Sequence, residues 1–522
     1  MEKANFGQIV SFLFGIANDC LVDTYDVGDY RKIILPMMVI RRFDAVLEPT
    51  KEKVLKMKEQ LDAAGITDQD EALCSVAGEA FCNSSPYTLS DLKSRTNQQQ
   101  LKSDFILYLN GFSQNVQDII KRFEFRNQID KLSEHDILGL LISKFTDSSV
   151  NLSNRPIYDA KGNLVQPALD NHTMGTVFEE VIRKFNEETN ITDAGRHFTP
   201  RDIVELITDL AFVPVKGKIQ STTYRIYDGA CGTGGMLTVA EGRMQEMAKE
   251  FGKNVSIHLY GQENSDETYA IARSDMLVKG EGVQANNIFF GSSNIKCEDF
   301  LRQNPAQVQL KGATVGMMNP PYSQGTKSDP SQYELSFVEH LLDSLTEGAR
   351  AAVIVPQSSM TGKTKDEQTF KENILKHHTL EGVITCNTDT FYGVGTNPVI
   401  AIFTAHEPHP EDKVCKFIDF RDDGYEVRAH IGLVEGDSAK DKRQHLLDVW
   451  FGRTEAASKF CVESTVKAED EWLHSFFYFN DEIPADADFE KAIGDYLTFE
   501  FSMIMQNREY LFGQGGEENA EP

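Results

Sequence analysis

The tetrad Asn319-Pro320-Pro321-Tyr322 follows directly on the apolar run Ala313–Met318. Its residue types suit one kind of chemistry. The exocyclic amine of a planar base such as adenine is a poor nucleophile, because its lone pair is delocalised into the ring. Two acceptors aimed at its N–H bonds favour the pyramidal, nucleophilic form. Asn319 offers a side-chain oxygen and Pro320 a backbone carbonyl. Consecutive prolines fix φ and restrict the residue before each of them, so both acceptors are held in place. That is preorganised electrostatic stabilisation, not base catalysis. Tyr322 adds a flat face on which an extruded base can stack. The plain alternative is a strand that ends in a double-proline turn.

A second cluster lies about ninety residues earlier. Asp228-Gly229-Ala230-Cys231-Gly232-Thr233-Gly234-Gly235 follows a strand and opens a helix. Glycines let the backbone approach a ligand closely, and amides at a helix start can meet an anionic group. The dinucleotide pattern GxGxxG fails, because Leu237 stands at the third glycine counted from Gly232. The phosphate-loop pattern fails too: Gly362-Lys363-Thr364 supplies its tail, but Gln357 stands at its first glycine. An acidic residue leading into glycines so spaced suits S-adenosylmethionine. Glu263, in Gly261-Gln262-Glu263, ends the next strand, where a carboxylate can accept from both ribose hydroxyls. A tight strand–helix connection without a ligand would use the same glycines.

These residues need elements to hold them. Strands are expected at Tyr224–Tyr227, Val255–Tyr260, Ile288–Phe290, Ala313–Met318, Ala351–Val355, Gly382–Thr385 and Val399–Thr404, with helical stretches between most of them. Such alternation predicts a largely parallel sheet covered by helices on both faces, with ligands at the carboxyl ends of the strands. One helix carries a start signal: Thr199 as N-cap, Pro200 at the first helical position, and Asp202 completing a capping box. Upstream, Phe6, Ile9, Val10, Leu13 and Phe14 recur at helical spacing, and further helical stretches run to Phe145. The Ser-, Asn-, Gly- and Pro-rich stretch Asp147–Asp170 reads as a linker or extended loop. Three regions follow: a helical domain over 1–165, a catalytic α/β domain over 166–455, and an acidic, aromatic, partner-binding segment over 456–522 whose Gly- and Glu-rich end is expected to be disordered.

The whole-chain balance limits the functions available. Lys and Arg number 52 against 80 Asp and Glu, a net charge of −28. Phosphate contacts need cations, so this chain is not expected to hold nucleic acid alone, and a partner must supply much of the grip. Eight cysteines form no CxxC pair, which argues against a zinc site or a disulfide framework. His406, Glu407 and His409 have no matching ligand cluster and read as a solvated loop, so no metal is expected. Neither a secretory signal nor a membrane span is expected, and the reading is of a cytoplasmic protein.

Taken together, the sequence resembles the modification (methylation) subunits of type I restriction-modification systems, which are amino-group DNA methyltransferases. The resemblance rests on the helical N-terminal domain, the segment Gly195-Arg196-His197-Phe198-Thr199-Pro200-Arg201, the glycine turn, Gly261-Gln262-Glu263 and the tetrad, in that order. It implies a Rossmann-like S-adenosylmethionine-dependent methyltransferase domain with a mostly parallel, seven-stranded sheet behind an all-α domain. It implies that Phe198, Thr199 and Pro200 border the methionine end of the cofactor, flanked by His197 and Arg201. The turn 228–235 would cradle the cofactor, Glu263 would hold the ribose, and Asn319, Pro320, Pro321 and Tyr322 would handle a target adenine flipped out of duplex DNA. Two departures stand out. Gly229 replaces a frequent proline, and Gly291-Ser292-Ser293-Asn294 stands where Gly-Asp or Gly-Asn often meets the cofactor's adenine, leaving Ser292 or Ser293 for that contact. The implied partners are a specificity subunit that reads the sequence, a restriction/translocase subunit, and a second copy of this chain. Two other readings remain open: methylation of a glutamine amide, which presents a similar planar amine, and a non-catalytic assembly subunit.

Overall fold

The structure is a computed structural model that describes residues 3–147, 151–159, 161–169, 171–188, 199–213, 219–280, 282–293, 312–391, 395–428, 432–480 and 485–505. These form two compact units, Met1–Phe477 and Tyr478–Pro522.

Nine strands build the main sheet of the first unit: β1 (Thr223–Asp228), β2 (Ser256–Glu263), β3 (Ile288–Phe290), β4 (Ala313–Met318), β5 (Leu345–Pro356), β6 (Thr379–Thr385), β7 (Pro398–Thr404), β8 (Cys415–Asp419) and β9 (Cys461–Ser464). Their spatial order is β3-β2-β1-β4-β5-β7-β6-β8-β9. β7 runs antiparallel to both β5 and β6, β9 runs antiparallel to β8, and the remaining pairs are parallel. The seven expected strands are all present, and they form the continuous block β3 to β6. The edge pair β8–β9 was not expected. Central strands such as β7 are buried along their whole length, as a sheet covered on both faces requires.

The helical domain also forms as expected, from Lys3–Leu21 to Ile137–Phe145. It packs on the sheet domain through the helix Asp266–Val278. Arg122 lies over the rings of Phe290 (3.8 Å) and Tyr269 (4.6 Å), and Arg273 pairs with Asp118 at 3.1 Å.

The linker is more ordered than its composition suggests. Ile157–Tyr158 and Leu164–Gln166 pair antiparallel. Arg42, fully buried, donates to the carbonyls of Leu152 (2.6 Å) and Leu169 (3.0 Å), pinning both ends of the hairpin to the helix Arg31–Leu47. Charged donors to buried carbonyls are strong, and losing one leaves those carbonyls without it. Arg42→Met is therefore expected to cost about 2–4 kcal/mol. Its urea midpoint should fall, and proteolysis within 151–169 should begin earlier; an unchanged midpoint would refute the anchoring role.

The C-terminal boundary differs from the expectation. Residues 461–477 do not belong with the acidic tail. β9 extends the sheet, Trp472 is fully buried beneath Lys371 Nζ (4.5 Å from its ring), and Phe477 stacks on Phe417 at 4.5 Å. Large apolar side chains of this kind supply burial that the acidic count conceals. In the second unit the helix Asp486–Met505 exposes Phe489, Ile493, Tyr496, Leu497 and Phe501.

Candidate active site

The parallel register brings the two sequence clusters to one edge. Asp228 at the end of β1 lies beside Gly261 of β2 and Met317 of β4, so Asn319 emerges two residues beyond a direct neighbour of Asp228. Carboxyl ends of adjacent parallel strands form the crevice where such sheets take ligands.

A cleft of about 720 Å³ opens there, a volume suited to a small-molecule ligand. It is lined by Thr199, Arg201, Asp228, Gly232, Thr233, Gly235 and Asn319, all expected from the sequence. Behind Gly232 stands Glu263. Its two carboxylate oxygens accept from the backbone N–H of Gly232 (3.1 Å) and of Ser265 (2.7 Å), which fixes the carboxylate at the turn. Gly234 makes the turn at φ +85°, in the left-handed region that glycine adopts without strain. Gly261 is required by close approach: a Cβ there would come within 2.7 Å of Cys231 Sγ.

Burial dominates the electrostatics of Asp228. It pushes the carboxyl up to about 7, against the opposing hydrogen bond from the Ala230 N–H (3.0 Å), and the neighbouring Glu263 adds to the rise. Burial also pushes the Cys231 thiol well above its ordinary value, so this cysteine is no ready nucleophile.

The start of the helix Arg201–Phe212 departs from the expected cap. Pro200 occupies the N-cap position and makes no side-chain cap bond. Thr199 Oγ1 instead accepts from Asn319 Nδ2 at 2.9 Å, across 120 residues. The hydroxyl orients the amide rather than the helix end. That bond directs Nδ2 toward Thr199 and turns Oδ1, the other end of the amide, away from it.

The rest of the tetrad is braced from below. Tyr322, 2% exposed, donates to the Ile354 carbonyl (3.3 Å) and meets Phe391 edge-on at 5.9 Å. It presents no open face in this conformation. Pro320 is buried, Pro321 is half-buried, and neither lines the cleft. Ser323, at φ +56°, donates its N–H to the buried Glu334 at 2.6 Å, and Glu334 also accepts from Ser359 at 3.2 Å. Ser292 lies past β3, outside the cleft lining, with its carbonyl held by Gln262 Nε2 at 3.0 Å. His197 and Phe198 lie outside the described residues.

Other contributors escaped the sequence reading. Glu334 carries no local signal beyond being an acid at a helix start. The helix Ala439–Trp450 brings Lys440, Arg443, Gln444 and Leu447 to the cleft from more than a hundred residues beyond the tetrad. There Arg443 bonds Glu205 (3.2 Å) and Asp209 (2.9 Å), and Arg243 bonds Asp209 (2.6 Å). This network ties three helices around the cleft wall. Among the described residues no cluster of His, Cys, Asp and Glu could hold a metal ion, the seven described cysteines form no disulfide, and no helix is long and apolar enough to cross a membrane.

Comparison with known proteins gives this arrangement a context. The family described as N-6 DNA Methylase matches residues 169–475, and the HsdM N-terminal domain matches residues 9–145. The chain is 39% identical over 351 residues to the type II restriction enzyme and methyltransferase RM.BcgI of Heyndrickxia coagulans, covering 66% of this chain and 52% of that protein. It is 24% identical over 300 residues to the type I restriction enzyme HindI methylase subunit of Haemophilus influenzae, covering 56% of this chain and 63% of that protein. The chain thus spans roughly half to two-thirds of the length of these relatives. In fold it is similar to the type I restriction-modification system methyltransferase subunit of Streptococcus thermophilus, with a TM-score of 0.61, 17% identity, and 88% of this chain and 96% of that one covered.

Proposed function

The chain belongs to the N-6 DNA methylase family, and from that premise we propose that it transfers a methyl group from S-adenosylmethionine to the N6 amine of adenine in duplex DNA. The observation that carries this reading is the junction of the two clusters: Asn319, oriented by Thr199, shares one cleft with Asp228 and the glycine turn.

The residues present fit the cofactor. A buried carboxyl at Asp228 and a pinned carboxylate at Glu263 flank a turn whose glycines admit a ligand at close range. When bound, S-adenosylmethionine supplies the activated methyl group. In this reading Asp228 faces its cationic methionine end, where Thr199 and Pro200 also stand, with Phe198, His197 and Arg201 as their flanks. Gly232 to Gly235 receive its middle, Glu263 its ribose, and Ser292 borders its adenine. Asn319 Oδ1 and the Pro320 carbonyl would accept the N–H bonds of the target amine, which would favour its pyramidal, nucleophilic form. Pro321 would keep the Pro320 carbonyl in place, and Tyr322 would meet the flipped base.

The acidic balance supports a division of labour. With a net charge of −28, the chain needs a specificity subunit to hold and read the duplex. A restriction/translocase subunit and a second copy of this chain complete the proposed type I complex, in the cytoplasm. The helical domain over 1–165 makes partner and DNA contacts, and the exposed apolar side chains of Asp486–Met505 offer a further partner surface.

The test is transfer of labelled methyl groups from S-adenosylmethionine to DNA, followed by nucleoside analysis, with and without the specificity partner. The expected result is N6-methyladenine, formed only when the partner is present. Cofactor binding with no label in DNA under either condition would overturn the DNA reading and redirect the search to protein amides.

A further inference from the structure

Successive residues of a strand point to opposite faces of the sheet. Asp228 lines the cleft and stands in register with Gly261 of β2, so Tyr227 and Gln262, the residues next to them, face the other side, beneath the helix Glu334–Asp343. There they form a fully buried polar chain. Tyr227 and Gln262 have no exposed surface, and His340 is 4% exposed. Tyr227 Oη lies 2.9 Å from Gln262 Oε1 and 3.3 Å from His340 Nε2, and Gln262 Nε2 lies 3.0 Å from the carbonyl of Ser292.

The direction of every bond in this chain follows from its end. A backbone carbonyl can only accept, so the amide nitrogen of Gln262 must face Ser292 and its oxygen must face Tyr227. Tyr227 therefore donates to Gln262, and the tautomer of His340 that completes the chain carries its proton on Nε2. Holding the Ser292 carbonyl also fixes the plane of the Ser292–Ser293 peptide, and with it the opposite direction in which the Ser293 N–H points. The same turn is tied at two other places. The Gly291 N–H donates to the Glu263 carbonyl at 2.9 Å, and Ser293 packs so near the glycine turn that a Cβ on Gly229 would stand 3.1 Å from its hydroxyl.

We propose that Gln262, held by Tyr227, is a positioning residue for the cofactor's adenine: from the back face of the sheet it sets the Gly291–Ser293 turn that borders the base. This rests on the S-adenosylmethionine reading above. It extends that reading to a residue that touches no ligand and to a polar chain that the methyl-transfer chemistry does not use. A buried chain of matched donors and acceptors is costly to break at any link, because each loss leaves a desolvated partner.

The test uses the full-length chain, its Tyr227→Phe and Gln262→Leu variants, and two probes titrated calorimetrically: S-adenosylhomocysteine, and S-ribosylhomocysteine, which lacks the base. Loss of one such bond is expected to weaken S-adenosylhomocysteine by about fivefold to tenfold in each variant. The base-free probe should bind all three proteins alike. In the assembled complex, methyl transfer at saturating cofactor should stay within about twofold of wild type while the KM for the cofactor rises. Tyr227→Phe removes one oxygen and keeps the ring, and thermal midpoints confirm which variants fold. Equal affinity of all three folded proteins for S-adenosylhomocysteine would overturn the inference alone, as would an equal loss for both probes. A wild-type protein that does not bind S-adenosylhomocysteine would overturn the cofactor reading itself, and this inference with it.

Discussion

Asn319→Ala is expected to slow methyl transfer by about 10²- to 10³-fold, the usual cost of removing one preorganised polar group from a reacting centre. The loss should fall on the chemical step. Asn319 touches the cleft through a side chain whose nitrogen is already engaged by Thr199, so cofactor affinity should change little. Single-turnover rates in the assembled, cofactor-saturated complex separate the two quantities. Thr199→Val provides a graded control. It keeps the shape of the side chain and removes the acceptor for Asn319 Nδ2, so the amide loses its fixed orientation and the rate should fall by about tenfold. Wild-type rates in Asn319→Ala would exclude the tetrad from the chemistry. A loss in Asn319→Ala with none in Thr199→Val would show that the amide holds its orientation without the hydroxyl.

The second large effect is on pH. Burial, reinforced by Glu263, raises the Asp228 carboxyl to about 7, from an ordinary value near 4. The folded chain without ligand therefore holds a proton that the unfolded chain releases between about pH 4 and pH 7. Its stability from this group is greatest at the acid end of that window and falls as pH rises through it. Cofactor binding runs the other way. The sulfonium carries a fixed positive charge, which favours the carboxylate. Affinity should therefore rise as pH approaches 7, level off above about pH 8, and drop by up to about tenfold per unit below 7. Asp228→Asn should bind more weakly at pH 8 and flatten the profile. Calorimetric titration of S-adenosylmethionine from pH 5.5 to 8.5 reads both. A wild-type profile that is flat across this range would mean that Asp228 does not face the cationic end of the cofactor.

These effects depend on how the chain uses interactions of different range. Gly232, Gly234 and Asp228 were legible because a turn into a helix is a local event, dictated by residues that are neighbours in the chain. The same holds for the tetrad, where two prolines constrain their own backbone and the residue before them. The tail was misjudged for the opposite reason. The acidic and aromatic character of 456–522 points to a partner surface, but Trp472 and Phe477 pack on this chain's own Lys371 and on Phe417 of β8. Thr199 was misassigned because a hydroxyl before Pro200 has a plausible local use, and the bond that forms instead reaches a residue 120 positions away.

By itself, then, the sequence determined the seven strands from β3 to β6 and the helical character of the N-terminal region, the glycine turn after β1, and that two chemical clusters lie on one mostly parallel sheet. Side-chain periodicity and backbone constraint act over a few residues, and both are written in the chain. Only the tertiary structure decided that β7 reverses between β5 and β6, that β8 and β9 extend the edge, and that the helix Ala439–Trp450 closes the cleft wall. It also decided that Thr199 serves Asn319, that Glu334 braces Ser323, and that Gln262 holds Ser292 from behind the sheet. Each of these pairings is made where distant segments meet, and a hydrogen bond is selected by which partners the packing leaves within about 3 Å. Periodicity in the chain records which face of an element is buried, but not what lies against it.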